Sequence, residues 1–323
     1  RAFGGGKSYS VLPSHSFRIP VDSAALVKHN VLNPEEMKRR VDALDFTLSG
    51  SNGKPKGYIL KSQFAVLDMI RGNNWERPIY FAVTTGPDSY MGLQSYFRLE
   101  GLAYRLVPIR YPQSENPNAY GGVASNTMYT NVMEKWSWGG MDNVEDGIYM
   151  DENNRRMVTN FRLQLSILAD ELMKEGEPDR ALDILEKVLT KMPEENVPMS
   201  RVLMSVQGTL LELASTSIAP GIKVYDLSDE RRALAKKLGS NLTRRLFEIQ
   251  ADDFNFYYSL DPARFRAVSQ ERRIAKQVAE VMVQTANVYL AGDSLGAELE
   301  GKLVELEASM AEAEQRIASM GAF

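Results

Sequence analysis

The residue types able to do chemistry are few and unevenly placed. The chain holds no cysteine and two histidines, His15 and His29. A thiol nucleophile, an iron–sulfur cluster, a structural zinc site and a disulfide framework therefore lack their atoms. Neither histidine stands in a metal-ligand or nucleophile–base spacing, and no G-x-S-x-G elbow occurs. Carboxylates remain. Asp142, Glu145, Asp146, Asp151 and Glu152 crowd one stretch, and Asp142 and Asp146 are the candidate ligands for a calcium ion. Val144 breaks the EF-hand spacing, and Asn153 stands where the bidentate Glu belongs, so a solvated acidic loop is the competing reading. No Asp-x-Asp pair, the usual cradle for a metal-bound nucleotide sugar, is present. Gly4-Gly5-Gly6-Lys7-Ser8 has the tail of a P-loop, but its first glycine would fall on Arg1 and no strand precedes it.

Aromatic residues offer a second kind of chemistry. Trp136 and Trp138 lie close to Tyr120, Tyr129 and Tyr149 among Asn and Asp, while Trp75 precedes an apolar run. Aromatic faces beside polar side chains can hold sugars, combining ring contact with hydrogen bonds. The competing reading has them seal a domain junction. The pairs Arg231-Arg232, Arg244-Arg245 and Arg272-Arg273 read first as exposed helix faces and second as anion sites.

The elements that must position these residues change character along the chain. Residues 16–110 alternate short strands and helices. Ser16 to Val21 reads as a strand; Asn33-Pro34-Glu35-Glu36 carries an N-cap, Pro at the first helical position and acid in the first turn, predicting a helix to about Val41. Asp45 to Leu48 alternates, and the Ser49 to Pro55 loop predicts a hairpin with Tyr58-Ile59-Leu60. Ser62 would cap a helix carrying Phe64, Leu67 and Ile70. Ile79 to Thr84 reads as a buried central strand, Gly92 to Leu99 as helix and Leu102 to Pro108 as a closing strand. Residues 111–151 lack a sustained period and read as a long ordered loop.

From Asn154 onward the period is helical. Ala169, Gly176, Ala181 and Pro193 occupy the small, turn, small and terminator positions of a tetratricopeptide pair, and Leu165, Leu168, Leu172, Leu182 and Leu185 supply its buried stripe. Further helices are predicted at 199–214, 229–250, 262–290 and 294–319. The fold expectation is an α/β N-terminal domain (1–115), an aromatic, Gly- and Asn-rich loop (116–153) and an all-α tetratricopeptide-like domain (154–323).

Composition bounds the partners. The 323 residues are 44% hydrophobic and 25% charged, with net charge −4, values of a folded globular chain with no electrostatic bias toward nucleic acid. No window approaches the ~20 apolar residues of a membrane span. The opening Arg1-Ala2-Phe3, with no initiator Met or signal-peptide core, reads as a piece cut from something longer.

Asn73-Asn74-Trp75-Glu76-Arg77-Pro78-Ile79-Tyr80-Phe81-Ala82, followed by Gly92-Leu93, Tyr96 and Leu99-Glu100-Gly101-Leu102-Ala103-Tyr104-Arg105-Leu106-Val107-Pro108, resembles the extracytoplasmic C-terminal region of bacterial multi-pass membrane proteins related to protein O-mannosyltransferases, within the GT-C superfamily. The resemblance covers about residues 16–110. It implies a non-catalytic domain at the periplasmic face of the inner membrane, tethered by a membrane-embedded N-terminal half that is one partner. An acceptor protein is the other. The lipid-linked sugar donor and the catalytic carboxylate would belong to that membrane half, leaving this piece without a cofactor or a catalytic residue. Trp75, Arg77 and Glu100 are the motif's candidate binding residues, with Trp136, Trp138 and Tyr149 from the aromatic stretch. A periplasmic helical-repeat interaction module with no link to sugar transfer is the alternative, and a glycan-binding module is a third.

Overall fold

The computed structural model describes residues 14–48, 58–114, 116, 118–217 and 220–320; the Gly4–Ser8 run and the Ser49–Pro55 loop lie outside them. The described residues form a small sheet-containing N-terminal region followed by a long all-helical part. They divide into two compact units, 1–135 and 136–323.

In the first unit, β1 (Ser16–Pro20) pairs antiparallel with β2 (Ala43–Thr47). Between them, Asp22 caps α1 (Ser23–Lys28) by accepting from the backbone N–H groups of Ala24 and Ala25. Asn33 and Glu36 form a reciprocal capping box at α2 (Pro34–Met37). This helix stops four residues short of Val41. There the chain is drawn into sheet-like pairing instead: Arg40 bridges Ile109, and Val41 N–H donates to Pro108 O at 2.9 Å. α3 (Lys61–Asn73) buries Leu67 and Ile70 and leaves Phe64 exposed. Tyr58 to Leu60 is no strand, and β2 finds its antiparallel partner in β1, not in the expected hairpin.

A second sheet holds β3 (Tyr80–Ala82), β4 (Phe97–Leu99), β5 (Ala103–Leu106) and β6 (Gly122–Val123) in the order β3-β5-β4-β6. The run expected to be a central strand is thus an edge strand, and Phe81 is its one buried side chain. The stretch expected to be helical at 92–99 is a single tight turn and then β4. Met91 and Gly92 both adopt positive φ, which breaks helix, and Phe97-Arg98-Leu99 lies flat in the sheet. One sheet face is aromatic: Phe81, Phe97 and Tyr104 pack under Tyr90 and Tyr120 with ring centroids 4.9–6.1 Å apart. Burial pushes the Tyr90 phenol up to about 12. The Tyr96 hydroxyl ties the sheets together, accepting from Asp45 N–H and donating to Asp45 O. The expected loop also contains α4 (Ser125–Thr130), which continues into a short wider-wound turn.

The second unit is helical. α5 (Glu152–Glu175) and α6 (Pro178–Lys191) form an antiparallel pair through the left-handed Gly176, whose φ of 81° a residue with a Cβ adopts poorly. Ala169 and Ala181 are both fully buried. Arg162, also buried, donates to the carbonyls of Met192, Val197 and Pro198 at 2.6–2.7 Å and fastens α5 to the segment after α6. Burial pulls its guanidinium down to about 10. α7 (Leu203–Ala214) packs on α8 (Asp229–Ser259), and a Cβ at Gly239 would lie 2.8 Å from Leu211, so this crossing is built on a missing side chain. α9 (Pro262–Ala267), α10 (Ser269–Tyr289) and α11 (Ser294–Met320) complete the unit, α10 lying against α8 and α11. Phe254, Tyr258, Phe265, Leu306 and Ile317 share one apolar cluster there.

Candidate functional site

Strand pairing sets the polar face of the four-stranded sheet. Tyr80 stands opposite Arg105, and Arg105 opposite Arg98, so two guanidinium groups are neighbours across adjacent strands. Like charges directly opposite destabilise a sheet. Glu100 resolves the conflict. Its Oε1 accepts from Arg98 Nε at 2.9 Å and Nη2 at 2.6 Å and lies 3.6 Å from Arg105 Nη1, while its Oε2 accepts from the Tyr80 hydroxyl at 2.8 Å. Glu36 closes the other side of Arg98 with one oxygen and caps Asn33 N–H with the other. Burial opposes the charge on Arg98, but the hydrogen bond and charge of Glu100, followed by the charge of Glu36, outweigh it and raise its affinity for protons. Two cations and two anions balance, and both carboxylates are occupied.

Trp75 enters beside this row through a strained turn. Asn74 and Trp75 both take positive φ, 39° and 65°, a conformation that costs a bulky residue stability. Asn74 Nδ2 donates to Asp22 Oδ2 at 3.2 Å, and this contact leads the two α1 backbone bonds in holding the Asp22 carboxyl below its ordinary range. The turn lays the half-buried Trp75 against the cluster of Leu26, Val31, Leu32, Val107 and Ile109. Beside it a cleft of about 40 Å³ is lined by His29, Asn73, Trp75, Arg77, Ile79 and Arg105 among others. That volume holds a few water molecules, whereas pockets for small ligands run to ~300 Å³ or more. Arg77 is exposed and is fixed by its backbone, whose N–H and carbonyl both bond the Asn73 side chain. Glu100 is engaged by Arg98, Arg105 and Tyr80 rather than by Arg77.

The second group of candidates lies in the helical unit. Trp136 and Trp138 are half-buried, their rings 5.7 Å apart, and Trp136 also meets Phe161 of α5 at 6.2 Å. Tyr149 is 88% exposed. Asp142 is bound by Lys191, whose ammonium holds its carboxyl below the usual range. Asp146 accepts from Asn143 Nδ2 at 2.8 Å, and Asp151 caps α5. Among the described residues no three His, Cys, Asp or Glu gather as a metal ion requires. Of the paired arginines, Arg231 pairs with Asp179 and Asp183, Arg232 donates to the carbonyls of Leu213, Ser215 and Tyr225, Arg244 pairs with Glu298, Arg245 with Glu194, and Arg272 is stacked 3.5 Å above Phe265, all within the helical unit.

Sequence reasoning missed Arg98 and Glu36. Arg98 sits inside the motif but draws no notice there, and Glu36 reads locally as a capping residue. Their pairing joins positions 62 apart, so neither signals the other along the chain.

Residues 2–127 match a family model described as TMEM260-associated domain 2. TMEM260 is a protein O-mannosyltransferase-like protein. The matched span encloses the residues that carry the resemblance and covers most of the first unit. No curated protein and no solved structure matches the chain. Among the described residues no helix is long and apolar enough to cross a membrane.

Proposed function

We propose that this chain is a non-catalytic part of a TMEM260-like glycosyltransferase, held at the extracytoplasmic membrane face by a multi-pass region and positioning acceptor protein for transfer from a lipid-linked sugar. The observation that carries this reading is the family match over residues 2–127, falling on a unit whose motif residues are engaged with one another. Acid–base help to glycosyl transfer asks for a carboxylate within reach of the substrate; Glu36 and Glu100 are instead clasped around Arg98. The cleft beside Trp75, at about 40 Å³, has no room for a sugar ring. The motif then serves as the scaffold that fixes the two sheets, and the exposed surface of the chain is left for partners.

The buried Ala169 and Ala181 of the α5–α6 pair favour a tetratricopeptide-like character for the helical unit. That feature alone suits the second reading equally: an interaction module unrelated to sugar transfer. Two measurements separate the readings. Given a polyprenyl-phosphate sugar and an unfolded Ser/Thr-rich polypeptide, the chain alone should transfer nothing; turnover would overturn the non-catalytic assignment. The message upstream of the Arg1 codon should encode several hydrophobic spans, and a signal peptide alone in that place would favour the interaction module.

A further inference from the structure

Between Trp138 and Tyr149 the chain makes a short excursion at the surface of the helical unit. Its body, 142–147, is exposed throughout, so no apolar core holds it down. Its ends meet: a Cβ on Gly140 would stand 3.8 Å from Ile148 Cδ1. Both stems are fixed to α5, the first by Trp136 against Phe161 and the second by Arg155 Nε, which donates to Met150 O at 2.8 Å. Gly140 and Gly147, at the two ends, hold φ of 73° and 64°, and residues without a Cβ readily absorb the backbone rotation of a hinge.

The hold on this excursion is concentrated in one side chain. Asn196 is 5% exposed; its Nδ2 donates to Met141 O at 2.9 Å and to Asn143 O at 2.8 Å, and its Oδ1 accepts from Ile148 N–H at 3.0 Å. One buried amide thus grips both ends. Its own base is firm, because Arg162 fastens the segment carrying it to α5 through the carbonyls of Met192, Val197 and Pro198. Among the described residues Lys191 is the other outside side chain that bonds the excursion, through Asp142; the two are 33% and 36% exposed, and ion pairs open to solvent contribute little. Inside, Asn143 Oδ1 accepts from the N–H groups of Glu145 and Asp146 at 3.2 and 3.3 Å, and its Nδ2 donates to Asp146 Oδ2 at 2.8 Å. These internal bonds persist when the outer ones break, so the segment moves as one piece.

We infer that residues 140–148 form a hinged strap and that Asn196 is its latch. The strap opens as a unit while α5 and α6 stay folded, and the latch sets how Trp138 and Tyr149, which flank the two hinges, are presented. With the strap closed Trp138 is half-buried and Tyr149 is exposed. The device works in the same way whether or not the chain serves sugar transfer, so its failure and the failure of the function proposed above are separate results.

Hydrogen exchange of the whole chain, compared with Asn196→Ala, Asn196→Asp and Lys191→Ala, tests the latch. In the wild type the Ile148 amide should be protected. Asn196→Ala removes the acceptor of that amide and both donors to the stem carbonyls, so exchange over 140–148 should quicken at least ~ten-fold while α5 and α6 exchange as before. Asn196→Asp sets a carboxylate against the same two carbonyls; it should act in the same direction and decides the matter if Asn196→Ala does not fold. Lys191→Ala should quicken exchange less than ~five-fold. With Trp75→Phe and Trp136→Phe in place, Trp138 is the one indole left of three, and adding Asn196→Ala should raise its quenching by acrylamide. An unprotected Ile148 in the wild type, unchanged exchange in the folded Asn196 variants, or faster exchange spreading equally into α5 and α6 would overturn the proposal. So would an equal effect of Lys191→Ala, or unchanged quenching of Trp138.

Discussion

Arg98 and Arg105 face each other across β4 and β5, and their tolerance depends on Glu100 standing between them and Glu36 beside them. Removing one member of a buried charge group strands the rest. Arg98→Met should therefore destabilise the first unit by about 3–5 kcal/mol, read as a lower urea midpoint. A change below 0.5 kcal/mol would mean that solvent screens the cluster after all. Asp170 gives the opposite kind of prediction. Its oxygens accept from the hydroxyls of Thr209 at 3.1 Å and Ser205 at 3.4 Å, joining α5 to α7. Burial raises its carboxyl above the ordinary 3.8, and the Thr209 hydroxyl, the charge of Lys174 and the Ser205 hydroxyl only partly offset this. An acid raised on folding holds its proton more tightly in the native state. Its favourable contribution is full below the unfolded value and is lost as pH climbs through the native one. Asp170→Asn removes the charge while its amide oxygen still accepts from one hydroxyl and its NH2 donates to the other, once that hydroxyl turns to accept; it should raise the thermal midpoint at neutral pH and match the wild type near pH ~3. A midpoint lowered at neutral pH would show that the ionised form is the stabilising one. Residues of this kind escape a reading of sequence because burial, which decides their role, is a property of the fold.

Helices were more legible than strands, for a physical reason. A helix satisfies its own backbone, so the period of its side chains and the chemistry of its ends are local: Asn33 and Glu36, Gly176, Ala169 and Ala181 all stand where their spacing places them. A strand takes its identity from partners. Phe97-Arg98-Leu99 is a strand because β5 lies on one side and β6 on the other, and all three residues are buried whichever face they occupy. Alternation, the usual signal, is erased. The Ile79–Thr84 run reads as central from its apolar content, yet its position at the edge is fixed by which strand pairs with it. Within the helical pair the prediction is steric. Ala169 and Ala181 have no exposed surface, and overpacking a filled interior costs ~1–3 kcal/mol or more. Ala169→Trp and Ala181→Trp should each reduce helical circular dichroism and the thermal midpoint. Wild-type midpoints in both would remove the basis for close backbone approach between α5 and α6.

At the scale of the whole chain, the two units rest on different physics. The first is held by aromatic faces and a balanced charge row, the second by long helices with alanine, glycine and methionine at their contacts. The change of period along the sequence announces this difference, but the boundary does not fall where that change is first felt. The units divide at 135/136, inside the stretch that reads as one loop, because α4 belongs to the sheet unit while Trp136 already packs on Phe161 of α5. Since each unit closes its own core, substitutions should act on the unit that contains them. Arg98→Met should lower one calorimetric transition and leave the other in place, and Asp170→Asn should move the other alone. Hydrogen exchange by mass spectrometry assigns each transition to its residues. A single transition displaced as a whole by both variants would show that the chain unfolds as one cooperative body, and that the charge row and the helical contacts stabilise each other.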